Sequence, residues 1–172
     1  MKKNSLIVTG VIIGLAAAVA VLALHNRANT VSKKEAQDSG VFFVRAGGEE
    51  YTVTTNDFAS LSAVELDAGY RKSGRAPETR TYRGVSFKAV LGSLGIDVSP
   101  FRSVSFTAAD GYASALSIEE AMDDTSCYIV NAMDGRPLGT KADGGSGPFM
   151  MILTRDPFSN RWCKFLLEVR LQ

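Results

Sequence analysis

Tyr82-Arg83-Gly84-Val85-Ser86-Phe87-Lys88-Ala89-Val90-Leu91 is the stretch on which the fold of this chain turns. Its second half reads as a short amphipathic helix. Phe87, Val90, Leu91 and Leu94 recur at i, i+3, i+4 and i+7, which places them on one face. The pattern predicts a helix over Ser86–Leu94, with Gly95 as its C-terminal stop.

Toward the C-terminus the periodicity changes from helical to alternating. Val104–Ala108 and Tyr112–Leu116 alternate as strands about an Asp110-Gly111 turn. Ser117-Ile118-Glu119-Glu120 has the form of a capping box, so a helix is expected over Ile118–Met122. Cys127–Met133 reads as a strand ending in an Asp134-Gly135 hairpin turn. A glycine-rich loop follows at Asp143–Pro148, then strands at Phe149–Leu153 and Trp162–Leu171. Toward the N-terminus, Val41–Ala46 and Glu50–Thr54 read as a hairpin about Gly47-Gly48. Thr54 or Thr55 is placed to cap a short helix over Asn56–Leu61, and Val64–Asp67 forms a short strand. Between them and the opening stretch, Tyr70–Arg83 looks irregular and basic, with five cations against Glu78. Many strands and three short helices predict an α+β, mostly-β domain over residues 41–172.

The N-terminal part is of another kind. Lys2 and Lys3 precede an apolar run over residues 6–24. Nineteen helical residues span about 28 Å, near the thickness of a bilayer's hydrocarbon core. The flanking lysines orient its N-terminus to the cytoplasm. Residues 1–29 therefore read as a stub and single-pass anchor, with a cleaved signal peptide as the open alternative. Residues 30–40 (TVSKKEAQDSG) are a polar linker. Both alternatives put the domain on the extracytoplasmic side of the membrane.

Charge excludes one class of partner. All 18 acidic residues and all but three of the 19 basic ones follow residue 30, so the domain is slightly acidic and offers no footprint for nucleic acid. Histidine occurs once, at His25, so the domain holds no Ser-His-Asp triad. No cluster of hard or soft ligands marks a zinc or calcium site. Cys127 and Cys163 permit a disulfide outside the membrane, and two separately buried thiols are the alternative.

Taken in order, these segments resemble the sulfite-oxidase-type molybdopterin-binding domain. The opening stretch is similar to the family's "W/Y-x-G-V-x-L-x-x-L-L" segment. Ala109-Asp110-Gly111-Tyr112 resembles its A-D-G-Y turn, and Asn131–Leu138 its "Y-E-M-N-G-E-P-L" hairpin. Gly144–Met150 stands where the family has "H-G-G-P-L-R", and Arg161–Leu166 resembles its closing "V-K-W-L" strand. The resemblance implies a mixed sheet-and-barrel fold and, in full members, a molybdenum cofactor held through its pterin and phosphate. It also implies a cysteine ligand in a C-x-G-N-R-like loop. The matching stretch, Leu66-Asp67-Ala68-Gly69-Tyr70-Arg71-Lys72, has no cysteine, and nothing there replaces a soft thiolate. The chain thus resembles shortened, exported bacterial variants of the family, an oxidoreductase-like domain without a catalytic ligand.

The residues expected to touch a cofactor or anion are Arg71, Lys72 and Arg75 in the basic segment, Tyr112 after its turn, Gly145 in the glycine loop, and Arg161 and Lys164 near the closing strand. Arginine offers planar, two-pronged hydrogen bonds to phosphate or sulfate. A glycine loop can present backbone N–H groups to the same ligand. By the resemblance, Lys164 matches a position near the cofactor. The expected partners are the membrane, through residues 6–24, and either a small anionic ligand or a redox protein of the envelope.

Overall fold

The computed structural model describes residues 12–15, 17, 19, 35, 36, 38–70, 76 and 78–172. The chain divides into two units, Met1–Glu35 and Ala36–Gln172. In the first, residues 12–15, 17 and 19 are helical, and the rest of the expected anchor lies outside the described residues. No helix among the described residues is long and apolar enough to cross a membrane.

The second unit is built on two five-stranded sheets. The first runs β2 (Glu49–Thr54), β1 (Val41–Ala46), β10 (Leu166–Leu171), β5 (Ser103–Ala108), β6 (Ala113–Ser117). Its β1–β10 pair is parallel and its other pairs are antiparallel. The second runs β3 (Val64–Tyr70), β4 (Glu78–Ser86), β7 (Cys127–Met133), with β7 also paired to β8 (Arg136–Pro137) and β9 (Met150–Leu153). Three short helices join them: α1 (Thr55–Ala59), α2 (Phe87–Ser93) and α3 (Ile118–Ala121).

Local chemistry explains most of these boundaries. Thr54 and Asp57 form a reciprocal capping box that starts α1, one residue earlier than expected. Ser86 and Ser117 accept from the backbone N–H groups of Ala89 and Glu120 and start α2 and α3. Asp134 and Gly135 both take positive φ, as the primed hairpin turn between β7 and β8 requires. The alternating inward residues of β1, β5 and β10 join the fully buried β9 in one apolar cluster. At its centre Phe42 and Phe58 meet Phe149 edge-on, with ring centroids 5.0 and 5.1 Å apart.

Two expectations need correction. Much of the "irregular" basic segment is regular strand. Glu78–Ser86 is β4, the longest strand among the described residues, and it pairs with β3 from Val64↔Gly84 to Tyr70↔Glu78. Gly84 sits at its bulge against β7, where a Cβ would overlap the Ile129 carbonyl oxygen. Conversely, the expected strand Trp162–Leu171 begins only at Leu166. A 3₁₀ turn (Ser159–Arg161), a single bridge at Cys163 and a bend at Lys164–Phe165 precede it.

Candidate functional site

The segment Trp162–Leu166 carries the chain from one sheet to the other. Cys163 bridges Met151 of β9 in the second sheet, and Leu166 opens β10 in the first by facing Ala108 of β5. Two residues make the crossing, so the backbone must turn sharply. Phe165 takes φ of 53°, in the left-handed region that bulky side chains rarely adopt. Its N–H donates to Ser146 at 2.8 Å, and its carbonyl accepts from Ala109 N–H at 2.9 Å. The crossover is thereby pinned to the glycine loop and to the β5–β6 turn.

Around this crossover the side chains form an aromatic and cationic rim. The Trp162 indole donates to the Leu153 carbonyl at 3.1 Å. Its ring lies between Tyr70, at the end of β3, and the buried Tyr82 of β4, with centroids 6.5 and 5.6 Å away. The Lys164 ammonium lies 5.1 Å from the centre of the Tyr70 ring and donates to the Tyr70 hydroxyl at 3.3 Å. Lys141, from the glycine loop, lies 5.8 Å over the ring of Phe165. Among the described residues neither lysine has a carboxylate within 4.0 Å. Two cations held on aromatic faces with no acid to neutralise them can accept an anion.

The other expected residues divide. Tyr112 stands at this rim, half exposed, and its hydroxyl donates to the Asn160 carbonyl at 2.6 Å. Burial, with the Cys163 thiol close by, pushes its hydroxyl pKa up. Arg161 is engaged elsewhere: it pairs with both oxygens of Asp156 and with Glu120, and those carboxylates raise its pKa further. Its guanidinium staples the turn before the crossover to α3 and leaves no free fork for a phosphate. Arg71, Lys72 and Arg75 lie outside the described residues.

Gly145 does not offer the expected nest. The N–H groups of Gly144, Gly145, Ser146 and Gly147 donate to the carbonyls of Lys141, Thr140, Leu138 and Gly139 within the same loop. A Cβ on Gly145 would overlap the Leu138 and Gly139 carbonyl oxygens. The glycines serve close backbone packing, and these amides are spent.

The disulfide expectation is also corrected: both thiols are free and buried. Cys127 faces Leu153 on one side of β9, and Cys163 faces Met151 on the other. A strand between them, at about 4.8 Å per step, sets the two Cα atoms roughly 10 Å apart, beyond the about 7 Å a disulfide spans. Burial pushes the Cys163 thiol up to about 12, with Asp110 adding to the shift, and raises Cys127 strongly as well. Among the described residues, two buried polar atoms lack a partner, the Tyr82 hydroxyl and Asn131 Oδ1. Desolvation raises the Tyr82 pKa well above its ordinary value.

Sequence reasoning missed Tyr70, Lys141 and Phe165 as parts of this rim. A left-handed φ and a lysine over a ring leave no periodic signal. The one available hint was that Lys164, Phe165 and the glycine loop each fall in segments with a family counterpart.

The model of the oxidoreductase molybdopterin binding domain matches residues 50–172. Among solved structures, the sulfane dehydrogenase SoxCD from Paracoccus pantotrophus shares the fold at a TM-score of 0.62 and 14% identity. That match covers 77% of this chain and 38% of the other, so the chain spans well under half the length of this relative. No curated protein matches the chain in sequence.

Proposed function

The chain belongs to the oxidoreductase molybdopterin-binding domain family, and from that premise we propose that it is a membrane-anchored, extracytoplasmic member that binds a small anion at the Lys164 rim without ligating molybdenum through protein. In this reading it acts as a redox accessory in the envelope, and a pterin phosphate is the family's form of the anion. The observation that carries it is Lys164 itself. Its ammonium is held on Tyr70, lacks a carboxylate partner, and stands at a position the family keeps near its cofactor.

The donor chemistry supports leaving the metal out. The family resemblance implies a thiolate as the protein ligand to molybdenum, and both thiols here are sealed in the core and held protonated by burial. The stretch that matches the family's ligand loop, residues 66–72, contains no cysteine. Among the described residues no three His, Cys, Asp or Glu side chains gather into a site. The residues present do not fit protein-ligated molybdenum. What they do fit is a charge: Lys164 and Lys141 supply cations, Tyr70 supplies a hydroxyl and a ring face, and Tyr112 shapes the edge.

The test is to isolate the full chain from cells that make molybdenum cofactor, then measure molybdenum by mass spectrometry and pterin by fluorescence. The expected result is substoichiometric molybdenum, with phosphate competing for whatever anion copurifies. Stoichiometric molybdenum would overturn the proposal. Pterin without metal favours the accessory role, and neither pterin nor metal favours a plain anion-binding module on the same rim.

A further inference from the structure

Phe165 occupies a backbone conformation that glycine or asparagine would adopt at lower cost. A bulky aromatic residue kept at such a position calls for a reason in its side chain. The ring is half-buried, with one part against the apolar cluster and a face beneath the Lys141 ammonium. Lys164 precedes it in the chain and is held in the same manner by the ring of Tyr70. The glycine loop that carries Lys141 is tied to Phe165 a second time, through Ser146.

We infer that Phe165 is a positioning residue: its ring face holds Lys141 at the crossover that also carries Lys164, so that two ammonium groups from two loops serve one anion. The inference rests on the anion-binding reading of the rim and adds to it Lys141 as the second cation and a π face as the means of placing it. Simple core packing by the Phe165 ring predicts something else, because any apolar side chain of similar bulk would then suffice. A π face attracts an ammonium and an aliphatic side chain does not.

The experiment uses the full chain with inorganic phosphate as the probe, read by calorimetry, and lysine side-chain proton shifts read by NMR. Phe165→Leu keeps apolar bulk without the π face, and Phe165→Trp keeps the π face. Phe165→Gly relieves the backbone and serves if the leucine variant does not fold. In the unsubstituted chain the Lys141 methylene protons next to the ammonium should be shifted upfield by the ring. In the leucine or glycine variant they should return to the position of a free lysine. Phosphate binding should weaken about five- to tenfold in those variants and recover to within about twofold in the tryptophan variant, the size of effect expected from one displaced cation. Unchanged phosphate affinity in Phe165→Leu, with Lys164→Met still weakening it, would overturn the positioning role and leave the rim reading intact. No phosphate binding by the unsubstituted chain would overturn the rim reading and the inference with it.

Discussion

Two loops meet at the rim, and they invert what their compositions suggest. The glycine loop between Leu138 and Pro148 looks like a phosphate cradle, yet its amides are consumed by its own carbonyls. The crossover Trp162–Leu166 looks like ordinary strand, yet it holds a left-handed phenylalanine and a lysine without an acid. The difference teaches where ligand capacity resides. Glycines report how closely two backbones approach, and here that approach is internal. The first loop is a scaffold, and the second carries the cation on which the proposed anion site rests.

The largest effect should separate the two at once. Gly145→Ala forces a Cβ into two carbonyl oxygens and should cost ~3 kcal/mol or more, read from the urea midpoint. Unchanged stability would mean that the loop is not the locked scaffold described. Lys164→Met should do the reverse. It should weaken phosphate binding about tenfold while moving stability by no more than about 1 kcal/mol, since the Tyr70 contact is lost but no ion pair is. A large loss of stability there would place Lys164 in the scaffold as well.

A third test concerns the interior behind the rim. Tyr82→Phe removes a buried hydroxyl without a partner and should leave stability unchanged or raise it by about 1 kcal/mol. A clear loss would reveal a partner for that hydroxyl. The fourth is a pH profile. The Cys163 thiol ionises near its ordinary value, 9.0, when unfolded and at about 12 when folded. The folded state therefore prefers the protonated form. Its contribution is fully present below pH 9 and is lost as pH rises toward 12, and Cys127 and Tyr82 act in the same sense. Denaturation curves should be flat near neutrality and fall across that alkaline window. A fall beginning below pH 8 would contradict the burial of these groups. The smallest effect belongs to Arg161→Ala. Its guanidinium and Glu120 are substantially exposed, though Asp156 is not, so the loss should stay within about 1 kcal/mol and phosphate binding should not change.

Local grammar carried much of the fold. The hairpin at Gly47-Gly48 and the helices capped by Ser86 and Ser117 could be read because each is decided within a few residues. β4 could not. Its exposures alternate imperfectly, its exposed residues are Glu78, Thr79, Thr81 and Arg83, and Arg80 is half-buried, so a paired strand resembled a charged loop. The pairing with β3 that settles it is a tertiary fact. The candidate site was only partly readable for the same reason. Lys164 and Tyr112 were found because the resemblance pointed at their segments. Arg161 was named for its guanidinium, but the acids that occupy it, Glu120 and Asp156, include one 41 positions away. Lys141 and Phe165 become partners only when the chain changes sheets between Cys163 and Leu166.

The parallel pairing of β1 with β10 has a consequence for assembly. The last strand of the chain lies inside the first sheet, with β1 on one side and β5 on the other. A chain emerging N-terminus first can form the β1–β2 hairpin and the β5–β6 hairpin independently, and among the described residues the strand that pairs with both is Leu166–Leu171. The first sheet is therefore closed like a clasp by the six residues of β10. The rim matures at the same moment, since the strand that fastens the sheet begins one residue after Phe165.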